Sequence, residues 1–167
     1  MPPDAEARTP PKRAAVEWNA LGVLLGRASA NVEILLAQHH AFVGSLAYQG
    51  LGDVNGPIAE IGYRIYYGDN GLEGFFLGPS LVGGVLLYKP YGCYSSCSTR
   101  NTAIMTSIAL DAGYQAILGD NVVLGAGLGI AYQHADRQVD YSAENLEIIF
   151  LGTGFIPRVL FSLGYAF

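Results

Sequence analysis

Side chains along this chain alternate with a period of two over most of its length, the repeat of a β-strand with two unlike faces. The strongest instance is Asn121–Gln133. Val122, Leu124, Ala126, Leu128, Ile130 and Tyr132 share one face, and Val123, Gly125, Gly127, Gly129, Ala131 and Gln133 share the other. One face is oily and the opposite one nearly bare. Ala103–Leu118 repeats the scheme, with Ile104, Thr106, Ile108, Leu110 and Tyr114 against Met105, Ser107, Asp111 and Gln115. So do Pro57–Tyr67, where Ile61, Tyr63, Ile65 and Tyr67 oppose Glu60, Gly62, Arg64 and Tyr66, and Ile156–Phe167, where Val159, Phe161, Leu163, Tyr165 and Phe167 oppose Arg158, Ser162 and Gly164. Val16–Leu24, Ala30–Gln38, Ala41–Gln49 and Leu72–Tyr88 carry weaker versions of the same pattern.

Eight segments of about 9–11 residues or more suit an even-numbered antiparallel transmembrane barrel. The connections predict its polarity. His39–His40, Gly68-Asp69-Asn70-Gly71 and Gly119-Asp120 read as tight turns. Gly26–Ser29, Gly50–Gly56, Lys89–Thr102 and His134–Phe155 read as the connections at the other end, longer on the whole. This places Trp18, Phe42, Tyr67, Phe75, Tyr114, Tyr165 and Phe167 near the short-turn end. Tyr48, Tyr88 and Tyr132 fall near the long-loop end, so two aromatic girdles are expected.

Composition agrees. Hydrophobic residues make up 51% and charged residues 14% of the 167 positions, against about 25% charged in ordinary soluble domains. No stretch gives a convincing spanning helix: the apolar runs are broken by glycines, Pro79, or Gln38, His39 and His40. A soluble lipocalin-type barrel is the main rival, but its outer face should be charged. The net charge of −5 gives no support for a nucleic-acid partner. Residues 1–14, rich in proline, are expected to be a disordered tail, and 15–167 the all-β, eight-stranded antiparallel up-and-down barrel. Met1–Ala15 shows no secretory signal, so export implies a signal removed beforehand.

The final segment, Arg158-Val-Leu-Phe-Ser-Leu-Gly-Tyr-Ala-Phe167, resembles the C-terminal strand of outer-membrane barrel proteins, with Phe161, Leu163, Tyr165 and Phe167 at the outward positions. In that family the last strand is read by the barrel assembly machinery. In size and strand count the chain is similar to the small OmpA/OmpX/OmpW-type barrels. The segments Glu60–Tyr67 and Gly71–Gly78 also resemble a family of small bacterial barrels without assigned function. The resemblance implies a bacterial outer-membrane location, with membrane lipids, lipopolysaccharide and the assembly machinery as partners.

An eight-stranded barrel has an interior just wide enough for side chains. By phase, Glu17, Glu33, Glu60, Arg64, Asp111 and Arg158 point inward, since an Arg or Lys facing lipid at mid-depth costs about 2–4 kcal/mol. They are expected to form an ion-pair network that fills the lumen, with the pairing set by the barrel's shear. A narrow channel for ions or small solutes is the alternative. Cys93 and Cys97 lie in the polar loop Lys89–Thr102 and suit a loop-stapling disulfide. Tyr91 and Tyr94 in that loop are candidates for contact with a protein partner. No metal or cofactor is implied. The remaining alternative is a lipid A-modifying hydrolase or acyltransferase of PagL/PagP type. Its one loose candidate set is His134 with Asp136, Ser142 and Glu144, without any recognised catalytic motif. A non-enzymatic barrel with a structural or interaction role is the reading these residues favour.

Overall fold

A computed structural model describes residues 12–24, 26–51, 54–68, 71–88, 101–119, 121–136 and 153–167. The strands are β1 (Ala14–Asn19), β2 (Arg27–Ala37), β3 (His40–Leu51), β4 (Val54–Tyr67), β5 (Gly74–Tyr88), β6 (Asn101–Leu118), β7 (Val122–Ala135) and β8 (Gly154–Ala166), with one short helix, α1 (Ala20–Leu24), after β1. Each strand pairs with the next in sequence, all antiparallel, and β1 pairs with β8 to close an eight-stranded up-and-down barrel. Closure removes the free edges that an open sheet would expose. At the seam the Phe167 amide donates to the Ala14 carbonyl at 2.9 Å, and the Phe167 carbonyl accepts from Arg13 and Ala14 at 3.1 Å each.

The period-two pattern maps directly onto the wall. Val16, Val32, Ile34, Leu46, Ile61, Leu81, Ile108, Leu128, Val159 and Leu163 all face outward and are exposed, as do the aromatics Trp18, Phe42, Tyr67, Phe75, Tyr114, Tyr132 and Tyr165. Every Asp, Glu, Lys or Arg within the strands (Glu17, Arg27, Glu33, Glu60, Arg64, Asp111 and Arg158) lies on the inward face. The outer surface is therefore one uncharged apolar belt, far larger than the apolar patches that water-exposed proteins tolerate. The bare inner face of β7 has a steric reason: a Cβ at Gly129 would run into the Asp111 carboxylate, which reaches across it.

Aromatic contacts cluster at the two ends of the tube. Phe75 meets Tyr114 edge-on at 5.0 Å, and Tyr165 lies 6.4 Å from Phe167 near the short turns. Tyr132 meets Phe155 at 5.2 Å at the other end. Two girdle assignments change. Tyr88 is buried, because it shares the inward parity of Leu86 on β5. Trp18 is outward but is the next-to-last residue of β1, away from the short turns and opposite Leu163 and Ala30.

Three connections also differ from the sequence reading. The expected strand Val16–Leu24 stops at Asn19 and turns into α1, because the Asn19 side chain caps the helix: its Oδ1 accepts the Gly22 amide at 2.9 Å. Gly22 is required there, since a Cβ would lie 2.7 Å from the Arg27 carbonyl oxygen. Replacing Asn19 with Ala is expected to cost about 1 kcal/mol, the usual loss for an N-cap, read as a lower urea midpoint. The supposed loop Gly50–Gly56 is mostly strand, with Gly50 pairing Asn55 and Leu51 pairing Val54, so only two residues separate β3 from β4. The turn between β2 and β3 is Gln38-His39, with His40 already in β3 and its Nδ1 2.6 Å from the Tyr63 hydroxyl.

Candidate functional site

The barrel interior is where the fold gathers its chemistry, and it is layered. At the short-turn end an apolar floor is built from Ala15, Ala41, Tyr66, Leu72, Phe76, Val123 and Ala166. These residues come from strand beginnings or ends and, for Leu72, from the turn before β5, which the alternating direction of the strands brings to one level. A second apolar group, including Val54, Ile58, Val82, Leu86, Tyr88 and Met105, lines the far end along β3 to β6. The charged residues lie between them.

Directly above the floor stands a polar layer centred on Glu33, whose side chain is 1% exposed. Arg64 approaches its Oε2 at 3.2 Å, the Tyr66 hydroxyl donates to Oε1 at 2.8 Å, and Gln115 Nε2 donates to Oε2 at 3.3 Å. Gln115 also donates to the Leu72 carbonyl at 3.0 Å and accepts from Arg64 at 3.4 Å. The Arg64 guanidinium lies 4.3 Å from the centre of the Phe76 ring, a cation–π contact. Four strands, β2, β4, β5 and β6, thus meet across the tube in a network whose carboxylate is satisfied from several directions. Glu17 belongs to the same level but is held differently. It is 2% exposed and neither carboxylate oxygen has a hydrogen-bond partner among the described residues. Arg64 is the cation that acts on it through space, without direct contact among the described residues.

A second layer forms on Arg158. Its Nη2 donates to Glu60 Oε1 at 2.8 Å, and its Nε lies 3.2 Å from Asp111 Oδ1. The Asp111 contact is close enough for an ion pair but lacks hydrogen-bond geometry, so Oδ1 remains without a hydrogen bond. The pairing expected from phase alone thus resolves into two groups, Arg64 with Glu33 and Arg158 with Glu60 and Asp111. Glu17 is left outside the direct contacts.

Side chains do not fill the whole lumen. Beside and above the Arg158 layer lies a cavity of about 470 Å³, with Arg27, Glu60, Arg64, Asp111 and Arg158 among its lining. The filled interior expected from strand number does not extend to this level. Tertiary spacing decides this, because small residues such as Ser45 and Ser107 face inward at the cavity level where the lower layer has Tyr66, Gln115 and Phe76.

Sequence reasoning passed over Arg27 because it was assigned to a connection; β2 starts earlier and carries it inward. Tyr66 and Gln115 were on the inward face but carried no charge to mark them. Their signal was a polar tip at an inward position of a strand rich in apolar residues.

Of the loose catalytic set, only His134 and Asp136 lie among the described residues. His134 is exposed on the outer face, while Asp136 closes the end of the ladder, its Oδ1 accepting the Ile104 amide at 2.9 Å and its own amide donating to the Ile104 carbonyl. Ser142 and Glu144 lie outside the described residues, as do Cys93, Cys97, Tyr91, Tyr94 and most of the proline-rich tail. At the C-terminus, Leu163, Tyr165 and Phe167 are exposed on the outer face, and Phe161 shares their parity while half-buried.

No family model matches the chain, and no curated protein does. Among solved structures it is similar to the crystal structure of the N-terminal β-barrel domain of Pseudomonas aeruginosa OprF. The TM-score is 0.62 and the identity 13%, over 95% of this chain and 100% of that one. At such identity the likeness speaks to architecture alone, a closed β-barrel, which in this chain has eight strands.

Proposed function

We propose that the chain is a bacterial outer-membrane barrel with a non-enzymatic, structural or interaction role, anchored by its belt and presenting the loops around residues 89–100 and 137–152 on the side away from the short turns. The uncharged outer wall supports a lipid environment. Among the described residues no helix is long and apolar enough to cross a membrane. On this reading the strands, with their apolar outward faces, are the crossing elements. Membrane lipids and lipopolysaccharide would contact the belt. The outward Phe161, Leu163, Tyr165 and Phe167 would be offered to the assembly machinery, and Tyr91 and Tyr94 to a protein partner.

The observation that carries the non-conducting reading is the Glu33–Arg64–Tyr66–Gln115 layer standing across the tube on an apolar floor. A channel would need a continuous wet path through that level. Reconstituted into a planar bilayer, the protein is expected to add no current above the bare membrane. Steady unitary steps would overturn the closed-lumen reading. Incubation with lipopolysaccharide is expected to leave the acyl chains of lipid A unchanged by mass spectrometry, whereas loss or gain of a chain would restore the enzyme alternative. A protein that co-purifies with the full chain and is lost on deletion of Lys89–Thr102 would support the presenting role.

A further inference from the structure

The wall is not strand all the way round. β1 ends at Asn19, opposite Ser162, yet β8 continues eight residues further, to Gly154, with β7 as its partner. On the other side β2 continues to Arg27, paired only with β3. Between these two half-free strands stands α1, a single helical turn with Leu24 80% exposed. The backbone parity is informative. Phe167 points its amide at β1, and strand alternation turns Val159 and Pro157 to the same side. Pro157 has no N–H to waste there, so its place on a free edge costs the β7 ladder nothing.

The cavity opens at this gap. It is lined by the lumen charges and also by Leu24 of α1 and by Pro157 and Val159 on the unpaired edge of β8, so it reaches into the gap beside α1. The breach lies below the Tyr132–Phe155 pair and level with Leu128 and Ile130 of the belt. The lining is amphipathic. Val82, Ile58 and Met105 form an apolar back wall. Arg158 is committed to both Glu60 and Asp111, whereas Arg27, next to α1, feels Glu60 through space and has no ion-pair contact of its own among the described residues.

We propose that this side opening binds one single-chain amphiphile with an anionic head, a fatty acid by chemistry, entering from the bilayer with Arg27 holding the carboxylate. A volume of about 470 Å³ falls in the range of small-ligand sites, about 300–1,000 Å³, and is too small for a lipid of several chains. A carboxylate head would give Arg27 a direct partner, which a neutral head would not. The proposal rests on the membrane placement given above.

The test uses the full chain in phosphatidylcholine vesicles with a photoreactive, diazirine-bearing palmitic acid. Insertion is scored in the same samples by heat-modifiable migration on gels. Labelling is expected to saturate near one per barrel and to map to Ala20–Leu24 or Pro157–Phe161. It should fall at least fivefold in Arg27→Gln and in Val159→Trp, which narrows the opening from outside. Unlabelled palmitate should compete, and lysophosphatidylcholine should not. A barrel that inserts but labels without saturation, or equally in all three forms, overturns the site alone. Equal competition by lysophosphatidylcholine overturns the role of Arg27. Failure of the wild type to insert overturns the membrane placement and the site with it.

Discussion

Arg64→Ala is expected to destabilise the barrel by roughly 3–5 kcal/mol, the cost of removing one partner from a buried ion pair. The loss is large because Arg64 is the cation between two acids. Glu33, almost fully buried, would keep Tyr66 and Gln115 but lose its counter-charge. Glu17, already without a hydrogen-bond partner, would lose the positive charge that offsets it. The Phe76 ring would lose the guanidinium packed on its face. Urea unfolding in lipid vesicles, followed by the exposure of the single Trp18, measures this directly. A Lys at the same position keeps the charge but not the fork of donors, so it should recover only part of the loss. Glu17→Gln should behave oppositely, at no cost or with a small gain, because it removes a charge that nothing directly solvates. If Arg64→Ala unfolded within 1 kcal/mol of wild type, the layer would not be the closed, mutually satisfied unit its geometry describes.

The second large effect comes from the outer wall. Leu128 is 67% exposed in the middle of β7, with Ala112 and Val159 as cross-strand neighbours. In water, such a surface substitution normally changes stability by less than about 0.5 kcal/mol. In a bilayer, Leu128→Arg should cost about 2–4 kcal/mol, falling toward zero for the same change at the rim. Leu118→Arg, at the β6 terminus, supplies the rim control. Equal and negligible costs at both positions would return the chain to the class of soluble barrels, whereas a steep dependence on height would place the belt in lipid.

Much of this was legible in the chain because a strand's side-chain period is local. Leu128 faces outward and Asp111 inward whatever the rest of the barrel does, and a slip of one residue would turn every apolar group into the lumen. That is why strand number, antiparallel order and the inward placement of Glu33, Glu60, Arg64, Asp111 and Arg158 follow from alternation. Tyr88 was misassigned by height along its strand, although parity alone puts it beside Leu86 on the inside. Other features depend on how the sheet closes on itself. Arg158 meets Glu60 from 98 residues away, and that pairing depends on the stagger between strands, which no local pattern encodes. The end of β1 at Asn19 was decided by a competition between two uses of the same residues. Strand pairing lost to a side-chain cap on α1 and to the close fit of Gly22 against Arg27. The opening in the wall and the cavity behind it follow from that one early stop. They belong to the tertiary structure because they are set by what β2 and β8 find beside them once the barrel has closed.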